Sequence, residues 1–288
     1  MISVIIPVYK DIQGLRKVLK ALDEQSLSNQ YYEVLVVNND QEEIDGLDLE
    51  VDYSLTWLKE VIPGSYIARN KGIQSAKGNV LAFTDADCIP DENWLLNANK
   101  YFDREINREI GILTGPVPLF FKDSNSLSPT EVYEKYTGFT TQAYAREGHA
   151  ITANWFSYKD VIEEFGGFNE SLKSNGDSDL SGKISAKYKI VYKEDIIVNH
   201  PARYHTRDLV NKYRRLLGGA YTRRFNGKTW PYTAHVLNFI LRRYRFSLKK
   251  FFTVPIHESW AIFKVCNAIN WGAVQEYFSL IRGGETKR

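Results

Sequence analysis

Short apolar runs alternate with stretches of helical periodicity over the first 118 residues. Buried strands are predicted for the apolar runs at 2–8, 33–37, 80–83 and 110–117, with a weaker strand within 53–61. Apolar residues spaced three and four apart predict helices over 13–24, 66–76 and 92–102, and the acidic stretch 41–52 is predicted to be a loop. Ser65 is the predicted cap of the second helix. Strands and helices in alternation indicate an α/β fold with a parallel sheet and helices on both faces.

The pattern changes after Pro118. Helices are predicted over 131–146, 159–165 and 176–186, a strand over 150–157, and one or two strands within 190–199. From Thr206 onward the pattern is mostly helical, with breaks predicted at Gly218-Gly219, Gly227 and Pro231. The expected organisation is therefore a domain over 1–205, with halves 1–118 and 119–205, followed by a helical extension over 206–288.

Polar clusters follow several of the predicted strands. The central strand runs directly into Asp85-Ala86-Asp87, and two carboxylates one residue apart on a strand point to the same side. The carboxyl ends of strands in open α/β sheets are where ligands bind, and hard divalent cations prefer such oxygen ligands. The alternative is a turn that leads into the next helix, where acidic residues also suit the first positions.

Composition excludes several classes of protein. Hydrophobic residues make up 43% and charged residues 25% of the 288 positions, which is ordinary for a globular protein. No run is long enough to span a bilayer, and Met1 leads straight into the first strand without a signal peptide. Two cysteines, Cys88 and Cys266, give neither a disulfide framework nor zinc-site spacing. A cytoplasmic protein is therefore expected.

The charge is unevenly distributed along the chain. Residues 203–250 contain 13 Lys and Arg and a single acid, Asp208, so this segment carries +12; the whole chain is +2, so the remainder carries −10. A basic segment rich in aromatic residues suits an anionic membrane surface, although it could also be a helical cover for the domain. Nucleic-acid binding would also fit the charge, but no recognition motif accompanies it, so none is expected.

Six short motifs occur in one order along the chain. They are Ser-Val-Ile-Ile-Pro-Val-Tyr at 3–9, Val-Val-Asn-Asn at 36–39, Ala-Arg-Asn-Lys-Gly-Ile at 68–73, Phe-Thr-Asp-Ala-Asp-Cys-Ile-Pro at 83–90 with Trp94-Leu95, Thr-Ala-Asn at 152–154, and Gly-Gly-Phe-Asn-Glu at 166–170. In this order and spacing the chain resembles the large glycosyltransferase family 2, with its GT-A fold. The resemblance covers roughly residues 2–204.

The resemblance implies a nucleotide-sugar donor, usually a UDP-sugar, and a divalent metal, Mn²⁺ or Mg²⁺. By analogy, Pro7, Tyr9 and Asn39 would line the base pocket, and Asn38 would be a further nucleotide-sugar-binding residue. The family often carries Asp where this chain has Asn38 or Asn39, which leaves the base open, although an Asn carbonyl still accepts a hydrogen bond. The remaining donor-binding residues would be Arg69, Asp85, Ala86 and Asp87, with Asp85 on the ribose or the metal and Asp87 on the metal. Arg69 could instead lie on a solvated helix face.

The resemblance also implies a catalytic base. The family motif of Glu-Asp-x-Asp-Leu type corresponds here to Gly176-Asp177-Ser178-Asp179-Leu180, with Gly in place of Glu. Asp177 would take the proton from an acceptor hydroxyl in a single displacement that inverts the anomeric carbon, and Asp179 is the second candidate. Either acid could instead cap the helix.

Further assignments follow from the same resemblance. His200 would be a third metal ligand or a structural histidine. Asn154 and Trp155 would contact the acceptor, a saccharide or lipid-linked molecule, although core packing is the alternative role for an aromatic ring.

Two other functions stay open beside an inverting glycosyltransferase of polysaccharide or glycolipid synthesis. A sugar-1-phosphate nucleotidyltransferase would carry a Gly-rich loop after the first strand, and residues 9–15 contain only Gly14. A non-catalytic nucleotide-sugar-binding protein would fit the loss of Glu at Gly176 but not the retained Asp177.

Overall fold

The structure, a computed structural model, describes residues 1–44, 49–225 and 227–286. Ten strands occur in this part of the chain: β1 Ile2–Val8, β2 Tyr32–Asn38, β3 Ser54–Lys59, β4 Val80–Phe83, β5 Ile89–Pro90, β6 Ile110–Thr114, β7 Leu119–Phe120, β8 Trp155–Tyr158, β9 Lys189–Tyr192 and β10 Val198–Pro201. Its ten α-helices are α1 Ile12–Asp23, α2 Ser65–Ser75, α3 Trp94–Asp103, α4 Pro129–Lys135, α5 Thr141–Arg146, α6 Lys159–Glu164, α7 Gly176–Ser185, α8 Thr206–Arg223, α9 Thr229–Lys250 and α10 Ile256–Ile281. The predicted α/β class is confirmed. Residues 45–48 of the predicted acidic loop lie outside the described residues.

Seven strands form one mostly parallel sheet in the order β3-β2-β1-β4-β8-β6-β9. β1 pairs in parallel with β2 and β4, and β8 is antiparallel to both β4 and β6. Every residue of β2, β4 and β6 is buried, as expected for strands whose apolar runs are continuous rather than alternating. The chain steps outward from β1 to β2 and β3, then returns to the other side of β1 as β4, so the reversal of strand order lies between β1 and β4.

Helix α2 crosses closely over β1. A methyl group at Gly72 would lie 2.4 Å from Ile5 Cγ2, so only glycine allows this approach. The helix begins after Gly64, whose φ of 158° is extended backbone, and Ser65 is its first residue rather than the predicted cap. Its close fit to β1 brings the buried Arg69 to the carboxyl end of the neighbouring strand β4.

The described chain divides into two compact units. The first comprises Met1–Pro118, Phe139–Ser171 and Gly176–His200, and the second Leu119–Gly138, Leu172–Asn175 and Pro201–Arg288. The second unit has its own apolar cores, one of which joins Val132 and Tyr133 of α4 to Leu209 of α8 and Ile262 of α10. Because α4 shares this core with the C-terminal helices, the second unit includes residues well before 206.

Two helix predictions need correction. The predicted helix over 131–146 is two short helices, α4 and α5, separated by residues 136–140. The predicted break at Gly218-Gly219 does not occur, because α8 runs through both glycines. A Cβ at Gly219 would lie 2.1 Å from Ser174 Oγ, so this glycine permits a close contact within the second unit rather than ending the helix.

Among the described residues, no helix is both long and apolar enough to cross a membrane.

Candidate active site

The carboxyl ends of β2, β1 and β4 lie side by side, and the predicted donor-binding residues follow them. Val8 of β1 is in register with Asn38 of β2, and Ile5 is in register with Phe83 of β4, the last residue before Thr84 and Asp85. This is the edge of the sheet at which the strand order reverses, where open α/β sheets bind ligands. Tyr9 is exposed just beyond β1, whereas Pro7 is partly buried.

Asn38 and Asn39 are buried, and their amide groups hold loops in place. Asn38 Nδ2 donates to Glu42 O, and its Oδ1 accepts from the N–H of Asp40. Asn39 Nδ2 donates to the carbonyls of Glu60 and Ile62, and its Oδ1 accepts from Gly64 N. Asn39 therefore fixes the segment that enters α2; contact of either residue with a base stays a prediction.

Arg69 and Asp85 form a close ion pair at the end of β4. Arg69 Nη2 lies 2.5 Å from Asp85 Oδ1, and the Arg69 side chain is buried while Asp85 is about one-third exposed. The guanidinium also lies 5.9 Å from the Tyr66 ring and 6.0 Å from the Phe168 ring. Arg69 is therefore not on a solvated helix face; it is a fixed cation beside the acidic motif.

The backbone at Ala86 is packed against the start of α1. Asp11 caps α1 by accepting from Gly14 N at 2.9 Å, and a Cβ on Gly14 would lie 2.9 Å from the Ala86 carbonyl oxygen. A side chain at position 14 would therefore collide with the backbone between Asp85 and Asp87.

Asp87, Cys88 and His200 bring three potential metal-ligand atoms within 4.8 Å of one another. The pairing of β10 with β5 places Asn199 opposite Ile89, so His200 comes next to Cys88 and Asp87. His200 Nε2 lies 3.9 Å from Asp87 Oδ2, and the imidazole packs against the Phe139 ring at 5.0 Å. The two predicted ligands Asp87 and His200 are therefore neighbours in the structure.

Two of these three residues, Asp87 and His200, carry ligand atoms that suit a divalent cation such as Mn²⁺. The Asp87 side chain is 41% exposed and can offer a carboxylate oxygen, and His200 can offer an imidazole nitrogen. Burial raises the pKa of the Cys88 thiol well above its usual range, with Asp85 and Asp87 adding to the effect. A thiol sulfur is also a soft ligand, whereas hard cations prefer oxygen and imidazole nitrogen. Asp85 is held by Arg69 and does not belong to the cluster of three.

Asp177 shares the electrostatic environment of this acidic motif. It lies in the first turn of α7, and burial is the largest cause that raises the pKa of its carboxyl group. The N–H of Ser178 and the Arg69 guanidinium lower this pKa to a smaller extent, and the Asp85 carboxylate raises it further. A carboxylate of raised pKa close to a nucleotide site is suited to proton abstraction. Asp179, by contrast, pairs with Lys183 one helical turn away, at 2.8 Å.

Tyr66 occupies the space beside Gly176, and sequence reasoning did not identify it. A Cβ at Gly176 would lie 2.7 Å from the Tyr66 ring carbons Cε2 and Cζ. The N–H of Gly176 donates to the Tyr66 hydroxyl at 2.9 Å, and the ring stacks on Phe168 at 5.7 Å and 18°. Burial is the largest cause that raises the pKa of Tyr66 to about 12, followed by the Asp177 carboxylate; Arg69 and the N–H groups of Gly176 and Asp177 act in the opposite direction. The Tyr66 ring therefore leaves no room for an acidic side chain at position 176.

Two of the sequence motifs are joined through Asn70 of α2. Its Oδ1 accepts from Phe168 N at 2.9 Å, and its Nδ2 donates to Phe168 O and to a Glu170 carboxylate oxygen. Asn70 thereby fixes Phe168, on which Tyr66 stacks, so Ala-Arg-Asn and Gly-Gly-Phe-Asn-Glu form one structural group.

Asn154 and Trp155 are placed differently from their predicted role at an acceptor. Both are completely buried. Asn154 Oδ1 accepts from Trp94 Nε1, and its Nδ2 donates to the carbonyls of Pro116 and Ile196. Trp155 Nε1 donates to Ser157 Oγ. Asn154 therefore joins the segment before β8 to α3 and to two loop carbonyls, and Trp155 is bonded within β8. Neither side chain has exposed surface with which to face a ligand.

Replacing Asn154 with Ala is expected to destabilise the protein by about 2–5 kcal/mol, because Trp94 Nε1 and two carbonyls would lose buried partners. Thermal denaturation measures the change. Asn99→Ala, which removes only an exposed bond to Asp103, should stay within about 0.5 kcal/mol of the original protein. An unchanged melting temperature together with weaker acceptor binding would instead restore the acceptor role of Asn154.

The sequence matches a known family and individual relatives. Residues 3–159 match the family described as Glycosyl transferase family 2. Over 211 residues the chain is 32% identical to Glycosyltransferase AglE of Haloferax volcanii, a match that covers 70% of this chain and 67% of AglE. Over a shorter stretch of 90 residues the chain is 32% identical to Glycosyltransferase GlyA of Streptococcus pneumoniae; this match covers 30% of this chain and 13% of GlyA.

Solved structures are similar in fold. The mannosyltransferase PcManGT from Pyrobaculum calidifontis, in complex with GDP-Man and Mn²⁺, has a TM-score of 0.60 at 19% identity, with 99% of this chain and 76% of that chain covered. Residues 1–349 of TarS from S. aureus, in complex with UDP-GlcNAc, have a TM-score of 0.56 at 15% identity, with 98% and 90% covered. At these identities the likeness concerns the fold, which is of the GT-A type.

Proposed function

The chain belongs to glycosyl transferase family 2 and is a glycosyltransferase, and from this premise we propose which reaction it carries out. It moves a sugar from a nucleotide-sugar, with a UDP-sugar as the first candidate, to a hydroxyl group of a saccharide or lipid-linked acceptor in polysaccharide or glycolipid synthesis. The transfer inverts the anomeric carbon in a single displacement.

The observation that carries this proposal is the grouping of Asp85, Arg69 and Asp177. Arg69 is ion-paired with Asp85, and its guanidinium lies 5.9 Å from the ring of Tyr66, whose hydroxyl accepts from the N–H of Gly176. These contacts connect the acidic motif to the helix turn that carries Asp177. A donor diphosphate at the end of β4 would lie close to a buried cation, which favours its negative charge. Asp177, at the start of another helix, would then take the proton of the attacking hydroxyl.

Asp87 and His200 are the residues that would hold a divalent cation. Such a cation, when bound, offsets the negative charge of the nucleoside diphosphate leaving group. The protein's own contribution is to hold the donor with Arg69 and the strand ends and to keep the Asp177 carboxylate near the acceptor hydroxyl. Asp85, engaged by Arg69, is proposed to contact the ribose.

The donor base is open between at least two candidates. The similar structures named above contain GDP-Man in one case and UDP-GlcNAc in the other. An asparagine can accept a hydrogen bond from a uracil or a guanine imide N–H through its carbonyl oxygen, so Asn38 and Asn39 do not choose between them.

A donor screen tests the proposal. Saturation-transfer NMR and calorimetry with UDP-, GDP- and dTDP-sugars, each with and without Mn²⁺, should find one nucleotide class that binds more tightly with the metal. Binding of no nucleotide-sugar would overturn the proposed reaction. Donor binding without release of nucleoside diphosphate, over a panel of acceptors, would favour a binding protein.

We also propose peripheral association with the cytoplasmic face of a membrane, where a lipid-linked acceptor would be presented. The support is the +12 charge of residues 203–250 in a chain whose remainder carries −10. Anionic lipid attracts such a segment by about 1 kcal/mol for each Lys or Arg close to the surface.

A further inference from the structure

One face of α9 exposes a row of large apolar side chains. Their positions are spaced seven, four, three and four residues apart, so they lie along one stripe of the helix. The stripe consists of Trp230 (83% exposed), Leu237 (56%), Leu241 (53%), Tyr244 (42%) and Leu248 (63%). A continuous apolar stripe of this kind on a surface marks an interaction site, whereas isolated exposed apolar residues are ordinary.

Cations flank the stripe on one side, and α9 contains no acid. Arg242, Arg245 and Lys249 are exposed, and none of the 22 residues of α9 is Asp or Glu. The opposite side of the helix faces the interior of its unit through Tyr232 and Val236. The helix thus has a buried face, an exposed apolar stripe and a basic edge, in the pattern of helices that lie in a membrane interface.

Arg243 does not belong to this basic edge. Its guanidinium stacks on the rings of Tyr213 at 4.2 Å and Phe239 at 4.1 Å, and its Nε donates to the Tyr133 hydroxyl at 3.2 Å. Arg243 is therefore part of the interior of the second unit. Reversing its charge would disturb packing and would not report on lipid binding.

We propose that the stripe and basic edge of α9 dock on an anionic lipid surface, an inference that deepens the proposed peripheral association. The stripe spacing would also suit a coiled coil with a second copy of the chain. Two copies of α9 would, however, bring Arg242, Arg245 and Lys249 near the same cations, with no acid on the helix to offset them. Anionic headgroups complement the basic edge, and the apolar side chains enter the acyl boundary.

Vesicle co-sedimentation of the full chain tests this docking face. Binding should be strong to vesicles of phosphatidylcholine with one-third phosphatidylglycerol, weak to phosphatidylcholine alone, and weaker as salt rises. The pair Arg242→Glu and Arg245→Glu should lower the partition coefficient by about 30-fold or more, and the pair Leu241→Ser and Leu248→Ser by about tenfold or more.

Matched controls separate the docking face from charge and stability. Lys17→Glu with Lys100→Glu makes the same change in net charge on exposed positions of the first unit and should alter binding less than twofold. Equal binding to both vesicle types, or an equal loss in this control pair, would show the proposal to be wrong. The proposal would also be wrong if the wild-type protein bound to neither kind of vesicle and formed a dimer that the Leu241→Ser and Leu248→Ser pair dissociated. Donor binding, measured on the same samples, should be unchanged in every variant, so failure here is distinct from failure of the glycosyl transfer.

A second inference concerns Tyr66 and is carried by different contacts. The first N–H groups of an α-helix have no partner within the helix. At the start of α7 the Tyr66 hydroxyl accepts from Gly176 N at 2.9 Å. We infer that Tyr66 is a positioning residue, which fixes the first turn of α7 and hence the Asp177 carboxylate. The glycine at 176 has no side chain that could do this.

This inference rests on the proposed role of Asp177 as base. Tyr66→Phe keeps the ring that stacks on Phe168 and removes only the hydroxyl, so the fold and the dissociation constant of the donor should stay unchanged. We expect kcat to fall about 2- to 13-fold, the usual net contribution of one hydrogen bond. Tyr53→Phe is the control: it removes another buried hydroxyl, which donates to Leu19 O, and should leave kcat unchanged.

The split between kcat and donor binding distinguishes positioning from general stability. An unchanged kcat in Tyr66→Phe while Asp177→Asn is inactive, or a loss of donor binding in Tyr66→Phe that equals the loss of kcat, would overturn the positioning role alone. An active Asp177→Asn would overturn the base assignment itself.

Discussion

Asp177→Asn is expected to lower the rate of sugar transfer by about two to four orders of magnitude, the usual contribution of a general base. The amide is nearly isosteric with the carboxylate but cannot take the acceptor proton. Because Asp177 contributes no predicted donor or metal contact, the dissociation constants of donor and Mn²⁺ should change little. Initial rates at saturating donor, together with calorimetric donor binding, measure the two quantities.

The neighbouring acid supplies the matched control. Asp179 pairs with Lys183, one helical turn away and half exposed, at 2.8 Å, so Asp179→Asn weakens one such pair and should change the rate by less than about fivefold. If Asp179→Asn abolishes transfer and Asp177→Asn does not, the two roles are exchanged. If neither substitution matters, single displacement with a carboxylate base is wrong.

Asp87→Ala is expected to abolish the metal dependence of nucleotide binding. Asp87 follows β4 rather than lying in its packed core, and its side chain is 41% exposed. Loss of this side chain should therefore leave the melting temperature nearly unchanged. UDP or GDP affinity should become the same with and without Mn²⁺.

The control for this change is Glu92→Ala, which removes an exposed acid only five residues along the chain. Its nucleotide affinity should still increase with Mn²⁺. An Asp87→Ala variant with metal-dependent affinity equal to that of the original protein would contradict the ligand assignment.

The strands and the acidic motif could be predicted because their signals are local. Val80–Phe83 is a continuous apolar run, and Asp85 and Asp87 follow it directly, so the position of the site follows from one short stretch. The pairing of Asp87 with His200 needs residues 113 positions apart; the family resemblance suggested it, whereas the pattern of apolar and polar positions did not.

Long-range packing explains what the sequence did not predict. Tyr66 lies 110 residues before Gly176, and nothing near either residue indicates that a ring occupies the place of the missing Glu side chain. Gly218-Gly219 resembles a helix break locally, but a close contact with Ser174 decides its role. Arg243 is one of the 13 Lys and Arg of the basic segment 203–250, yet it lies against Tyr213 and Phe239.

The same limit applies to Asn154 and Trp155. Their motif indicated an acceptor contact, whereas in the structure both side chains are buried and make hydrogen bonds within the protein. A short motif shows that a residue type is needed at a position, whereas only the three-dimensional neighbours show whether it faces ligand or protein.

The stereochemistry of transfer tests the central claim most directly. With the donor found in the screen, real-time NMR of its slow hydrolysis in the absence of an acceptor detects the first sugar anomer released, before it equilibrates in solution. Single displacement assisted by Asp177 predicts an anomer opposite to that of the donor, and a signal that disappears in Asp177→Asn. Release of the anomer with the donor's own configuration would contradict the account.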